Sequence, residues 1–72
     1  MFTIYSKKGC ANCEKAKMVL HLRGHKFEVK MLDTDYTIEE YMTMFNSRSF
    51  PTIVDGRTDT VYKTFEELQE AV

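Results

Sequence analysis

Two cysteines, Cys10 and Cys13, stand between a stretch typical of a β-strand and a stretch typical of a helix. Residues 2–5 are aromatic and β-branched, which predicts a strand. Residues 14–23 carry apolar side chains at helical spacing and are followed by Gly24, a common helix terminator. A close cysteine pair at a strand-to-helix junction is the arrangement that dithiol–disulfide exchange requires, so this placement constrains both the fold and the chemistry.

Three further stretches predict strands. Residues 27–31 alternate between apolar and polar side chains, which is the period of a half-buried strand. Residues 52–54 and 60–62 are short runs of β-branched and aromatic residues. Asp55 and Gly56 lie between these two runs and form a turn signal, so we expect the runs to pair as an antiparallel hairpin.

Two further helices are predicted from capping boxes. Thr37 precedes Glu40 by three residues, and Thr64 precedes Glu67 by the same spacing. The element order is therefore β-α-β-α-β-β-α, in which the first two strands should run parallel through a right-handed crossover. We expect an α/β fold in one domain over residues 1–72, with three helices covering both faces of a four-stranded mixed sheet.

Composition sets the size of the core and limits the classes of partner. The chain has 72 residues, of which 43% are hydrophobic and 29% charged, as in a small globular domain. A formal net charge of −1 gives no reason to expect a nucleic-acid partner. We expect the thin core to be filled by the five phenylalanines and by Met18, Met31, Met42 and Met44.

The compartment is predicted from the same sequence pattern. No apolar stretch in the chain is long enough for a signal peptide or a membrane span. The two cysteines would close only a small loop, which adds little to a secreted scaffold. We therefore expect a cytoplasmic monomer without membrane association, in which the cysteines act as a working dithiol.

The position of each cysteine predicts its role in disulfide exchange. Cys10 lies at the predicted helix start, where free N–H groups and the positive end of the helix dipole favour a thiolate. Lys7 and Lys8 add positive charge, so we expect a lowered pKa for the Cys10 thiol. Cys13 lies one turn further along the apolar side and should stay protonated. We expect Cys10 to attack the substrate disulfide and Cys13 to resolve the mixed disulfide.

A metal site is the main alternative interpretation of the cysteine pair. His21 and His25 complete a Cys₂His₂ count in the order C-x₂-C-x₇-H-x₃-H. In a continuous helix, however, His21 would lie ~12 Å along the axis from Cys13. Zinc ligands lie only ~2.0–2.3 Å from the ion. The spacing therefore favours redox chemistry and leaves the two histidines as surface or helix-end residues.

Pro51, the single proline, directly precedes a predicted strand, a position that tolerates proline, and sequence alone favours a trans bond before it. Three short motifs occur in the same order as in a known family: Tyr5-Ser6-Lys7, Cys10-x-x-Cys13 and Arg48-Ser49-Phe50-Pro51. On these motifs the chain resembles the glutaredoxins, and among them the small phage members and the NrdH-type redoxins that reduce ribonucleotide reductase. The resemblance covers nearly the whole chain. It implies the minimal thioredoxin fold, thiol–disulfide oxidoreductase activity and a cis bond before Pro51, beside the cysteines.

The resemblance also implies a substrate-binding surface around the cysteines. The backbone of Phe50, the residue before the proline, would pair with bound substrate in the manner of a strand. Lys7 corresponds to the basic residue that meets the glycine carboxylate of glutathione. The full set of implied substrate- or glutathione-binding residues is Lys7, Arg48, Phe50, Pro51, Phe65 and Glu66.

The electron donor is left with two candidates. Lys63 and Thr64 stand where glutathione-using members carry two glycines, which let backbone and ligand approach closely. Glutathione as a co-substrate and a thioredoxin reductase are both kept as donors, and no bound cofactor is expected. The favoured acceptor is a protein disulfide, by resemblance that of ribonucleotide reductase. The alternative is a module that binds a metal ion or an iron–sulfur cluster through the cysteines.

Overall fold

The computed structural model describes all 72 residues and has the predicted order of strands and helices. None of its three helices is long and apolar enough to span a membrane. The elements are β1 (Phe2–Ser6), α1 (Ala11–Leu22), β2 (Phe27–Met31), α2 (Ile38–Phe45), β3 (Thr52–Asp55), β4 (Thr60–Tyr62) and α3 (Phe65–Ala71).

The sheet has four strands in the order β2-β1-β3-β4, so β1 is central. β1 pairs in parallel with β2, and β3 pairs antiparallel with β4, both as predicted. β1 also pairs antiparallel with β3. Tyr5 lies opposite Thr52 in the β1–β3 pair. Because the pair is antiparallel, the residues that follow β1 lie beside the residues that precede β3. This register places residues 50–51 next to the loop that leads from β1 to Cys10.

The helices cover both faces of the sheet. Successive residues of β1 point to opposite faces. Phe2 and Ile4 belong to the main core cluster, whereas Tyr5 contacts α2 through the ring of Phe45, with the centroids 4.9 Å apart. The main cluster, which joins β1 and β3 to α1 and α3, consists of Phe2, Ile4, Ala16, Leu20, Ile53 and Leu68.

The capping signals form as local hydrogen bonds, one fully and one in part. At the start of α2, Thr37 Oγ1 accepts the Glu40 N–H, and the Glu40 carboxylate accepts the Thr37 N–H, which completes the predicted capping box. At the start of α3, Thr64 Oγ1 accepts the Glu67 N–H at 3.1 Å. The Glu67 carboxylate accepts the Lys63 N–H instead, at 3.0 Å, so the second box closes one residue earlier than predicted.

The predicted core is wrong in three of its four named methionines. Met18, Met42 and Met44 are 63%, 37% and 51% exposed, and Met31 is half-buried. Of the five phenylalanines only Phe2 is fully buried. The reason is geometric, because each helix has one stripe against the sheet. In α1 that stripe is already filled by the buried residues Cys13, Ala16 and Leu20.

Candidate active site

The two cysteines occupy unequal positions at the start of α1. Cys10 is the N-cap, with φ −99° and ψ 104°, and its Sγ accepts the Cys13 backbone N–H at 3.2 Å. The two residues form a disulfide with their Cα atoms 5.2 Å apart. Cys13 is fully buried, whereas Cys10 is only partly covered. An incoming thiol or disulfide can therefore reach Cys10 but not Cys13.

The loop before Cys10 begins at Ser6, whose carbonyl is held by two hydrogen bonds, and it turns at Gly9. The Ser6 carbonyl, at the end of β1, accepts the Leu32 N–H at 2.9 Å and the Tyr36 hydroxyl at 2.6 Å. Gly9 then adopts φ +70°, a left-handed conformation that other residues rarely take. The loop is thereby bent so that Cys10 enters the helix as its cap.

A shallow, positively charged groove opens beside the accessible sulfur. Cys10, Lys7, Lys8 and Glu14 contribute to its walls. The Glu14 carboxylate is paired with the Lys17 ammonium at 2.6 Å, whereas Lys7 and Lys8 form no ion pair. Two lysines without an ion-pair partner therefore line the same groove as Cys10, and their positive charge favours its thiolate.

The segment before β3 meets this groove. The Phe50–Pro51 peptide bond is cis, as the resemblance implies, and Pro51 is buried. The Lys7 Nζ lies 5.2 Å from the centroid of the Phe50 ring, within range of a cation–π interaction. The backbone N–H and carbonyl of Phe50 take part in no hydrogen bond within the protein. The structure thus brings Lys7, Phe50 and Pro51 together at the end of β1.

Tyr41 of α2 holds this segment, a role that sequence reasoning missed. Its ring stacks on Phe50 with centroids 4.3 Å apart and planes inclined by 9°. Its hydroxyl donates to the Ser49 carbonyl and also bonds to Thr52 Oγ1. Burial raises the pKa of Tyr41, so the hydroxyl keeps its proton. In the sequence, Tyr41 is one of the apolar residues that recur at helical spacing after Thr37, which predicts a buried helix face and no more.

The other predicted site residues take part in none of these contacts. Arg48 is exposed, and its Nε lies 3.3 Å from the Met42 sulfur. Phe65, the first residue of α3, is half-buried against the main core cluster, with the Lys15 Nζ 6.0 Å from its ring centroid. Glu66 is exposed, and its carboxylate forms no hydrogen bond or ion pair. The structure therefore does not join Arg48 or Glu66 to the cysteines by any hydrogen bond or ion pair.

The histidines do not converge on the cysteines. No three or more histidine, cysteine, aspartate or glutamate side chains are grouped so that they could hold a metal ion. His25 packs its ring edge-on against Phe2, with the centroids 5.1 Å apart, and His21 is exposed on α1. The structure thus offers no ligand set for the predicted alternative of a protein-bound metal ion.

Comparison with known proteins identifies the family. The family model described as Glutaredoxin matches residues 2–58. The chain belongs to the glutaredoxin family. As a family member with a Cys10–Cys13 pair in disulfide contact, it is a thiol–disulfide oxidoreductase with the minimal thioredoxin fold. A search of curated protein sequences finds no match.

Solved glutaredoxin structures superpose over nearly the whole chain. The glutaredoxin-like protein NrdH-redoxin from Escherichia coli matches with a TM-score of 0.76 and 26% identity, over 92% of this chain and 84% of that one. Glutaredoxin grx-1 from Archaeoglobus fulgidus matches with a TM-score of 0.74 and 26% identity, over 96% of this chain and 82% of that one. Glutaredoxin 2 from Salmonella typhimurium, solved with glutathione, shares the fold at 17% identity, a TM-score of 0.81, and coverage of 99% of this chain and 32% of that one.

Proposed function

We propose that this glutaredoxin-family protein reduces protein disulfides, with Cys10 as the attacking cysteine and Cys13 as the resolving one. The proposal rests on the difference between the two cysteines in exposure and in hydrogen bonding. The Cys10 sulfur is reachable from the groove and accepts a backbone N–H at 3.2 Å, whereas Cys13 is fully buried. A hydrogen bond and a helix start both favour the charged form of Cys10. Burial without such a bond favours the neutral thiol at Cys13.

The reduction of the substrate disulfide proceeds in two exchange steps. The Cys10 thiolate attacks one sulfur of the substrate disulfide, and the other substrate sulfur leaves as a thiolate that takes a proton from solvent. Cys13 then gives up its proton and attacks the Cys10 sulfur. The bond between Cys10 and the substrate breaks, the second substrate thiol is released, and the Cys10–Cys13 disulfide remains. The substrate gains two electrons, and the protein loses two.

The substrate would be held by the segment that faces the groove. The free backbone N–H and carbonyl of Phe50 can form two strand-like hydrogen bonds with an extended peptide. Pro51 shapes that segment, and Lys7 and Arg48 supply positive charge at its sides. Phe65 and Glu66 would extend the surface to the start of α3. Each of these contacts rests on the family resemblance together with the positions described above.

The electron donor is proposed to be a thioredoxin reductase in preference to glutathione. At the start of α3 the Lys63 N–H is already bonded to the Glu67 carboxylate at 3.0 Å. That carboxylate repels an anionic tripeptide at the place where glutathione-using members carry two glycines. The likeness to NrdH-redoxin, described as having a thioredoxin-like activity profile, supports the same donor.

The acceptor is proposed to be a disulfide of ribonucleotide reductase. This rests on the resemblance to NrdH-type redoxins and on the match to the Escherichia coli NrdH-redoxin structure. A dithiol donor must be kept reduced between cycles, so we place the protein in the cytoplasm, acting as a monomer without a bound cofactor.

Two cysteine variants in two coupled assays test the mechanism. One assay supplies electrons through glutathione and glutathione reductase, and the other through thioredoxin reductase. Cys10→Ser should abolish activity in both, because the attacking sulfur is lost. Cys13→Ser should lose protein-disulfide reduction but keep attack on glutathione mixed disulfides, which needs only the first sulfur. Full activity of Cys10→Ser would contradict the mechanism, and faster wild-type turnover with glutathione would contradict the proposed donor.

A further inference from the structure

We propose that Tyr41 of α2 is a positioning residue that holds the segment 49–52, and through Phe50 also Lys7, in the arrangement that receives a protein substrate. The inference rests on the proposed function, in which the Phe50 backbone pairs with the substrate. It assigns to α2, which contains neither cysteine, a part in setting substrate affinity.

The Tyr41 hydroxyl bonds to both sides of Phe50–Pro51. It donates to the Ser49 carbonyl, on the N-terminal side, and it bonds to the Thr52 hydroxyl, on the C-terminal side. Tyr41 is fully buried, its bond to Thr52 is buried, and its bond to the Ser49 carbonyl is partly buried. Since a hydroxyl has one proton and two lone pairs, one partner can accept while the other donates. The Ser49 backbone and the Thr52 side chain, one on each side of Phe50–Pro51, are thereby tied to one atom.

The Tyr41 ring fixes the side chains above it. Its stacking on Phe50, at 4.3 Å between centroids, orients that ring, and the Lys7 ammonium lies over the Phe50 ring at 5.2 Å. Lys7 is otherwise an exposed side chain with no ion pair. An exposed lysine samples many rotamers, and a ring beneath its ammonium narrows that range. The position of a groove charge therefore depends on a residue in α2.

Tyr41 can hold the segment 49–52 in place because its own ring is packed against other aromatic side chains. Its ring contacts Phe45 at 5.1 Å and stacks on Tyr36 at 5.6 Å, and Tyr36 is bonded to the end of β1 through the Ser6 carbonyl. Ring packing alone would explain a phenylalanine at residue 41. Packing does not explain the two hydrogen bonds of the Tyr41 hydroxyl, both of which go to the segment 49–52.

Tyr41→Phe tests the proposal, because it removes the hydroxyl and keeps the ring. The KM for a protein disulfide should rise about three- to tenfold, the effect of one or two lost hydrogen bonds. The kcat should stay within about twofold, as should the rate at which iodoacetamide alkylates Cys10, since neither depends on substrate pairing. Tyr5→Phe is the matched control, because the Tyr5 hydroxyl belongs to the same aromatic group but forms no hydrogen bond, and it should leave all three values unchanged.

A wild-type KM in Tyr41→Phe would overturn the proposal, as would an equal fall in the alkylation rate. Amide chemical shifts of Phe50 and Thr52 report the position of the segment without any substrate. They should move in Tyr41→Phe and not in Tyr5→Phe. If the wild type reduces no protein disulfide, the proposed function fails while these shifts still test the hold on the segment. Should Tyr41→Phe not fold, Thr52→Val removes one of the two bonds and should raise KM in the same direction by about twofold.

Discussion

The Ser6 side chain gives a stability prediction whose sign is opposite to the usual one for a buried hydroxyl. Ser6 is fully buried at the end of β1, and its Oγ is the single buried side-chain polar atom without a hydrogen-bond partner. Its backbone carbonyl, by contrast, accepts bonds from Leu32 and Tyr36. A buried polar group left unpaired costs roughly 1–3 kcal/mol, and replacement by an apolar group of similar shape removes that cost.

We therefore expect Ser6→Ala to stabilise the oxidised protein by about 1 kcal/mol, the lower end of that range, since some packing is lost with the oxygen. With a urea m-value of about 1 kcal/mol/M for a small domain, the unfolding midpoint should rise by about 1 M. The melting temperature should rise by about 4–8 °C. Urea unfolding followed by circular dichroism measures the first, and a thermal scan the second.

Thr52→Val is the matched control for Ser6→Ala. Thr52 is also buried on the sheet, but its hydroxyl is bonded to Tyr41. Its removal should destabilise the protein by about 1 kcal/mol, because one hydrogen bond is lost. A destabilisation of Ser6→Ala equal to that of Thr52→Val would refute the reasoning, since it would mean that the Ser6 hydroxyl is bonded in solution.

Two further predictions concern charge. In the reduced protein the Cys10 thiol should have a pKa below the free value of ~8.5, because its sulfur accepts the Cys13 N–H at the start of a helix; thiolate absorbance against pH measures it. The pKa of Asp55 is lowered, first by the Arg57 backbone N–H that its carboxylate accepts at 3.0 Å. The charged Asp55 carboxylate therefore stabilises the folded protein above the unfolded pKa of ~3.9, and this contribution is lost as pH falls through the lower folded value. In urea titrations the wild type should lose more stability on acidification than Asp55→Asn does.

Each of these two predictions has a result that would contradict it. A Cys10 titration at or above the free cysteine value would show that the helix start and the groove lysines do not act on the sulfur. Parallel loss of stability in wild type and Asp55→Asn between neutral pH and the acid limit would show that the bond from Arg57 gives Asp55 no advantage in its charged form.

The sequence determined the features whose causes lie within a few residues. The order of strands and helices, the capping box at Thr37 and the helix start at Cys10 were all predicted, and the sequence signal for each lies within a few neighbouring residues. The family motifs also implied the cis bond before Pro51. Local signals of this kind survive in a single sequence because neighbouring residues are always close in space.

The tertiary structure alone decided which side chains meet across the sheet. Phe50 is nine positions from Tyr41 and forty-three positions from Lys7 in the sequence, so no local sequence pattern pairs these residues. The methionines were misplaced for the same reason, because helical spacing identifies an apolar stripe but not which part of it the sheet covers. Here the start of β3 lies beside the end of β1 and beneath α2. That packing, and not the cysteine motif, brings a tyrosine from α2 to the segment proposed to receive the substrate.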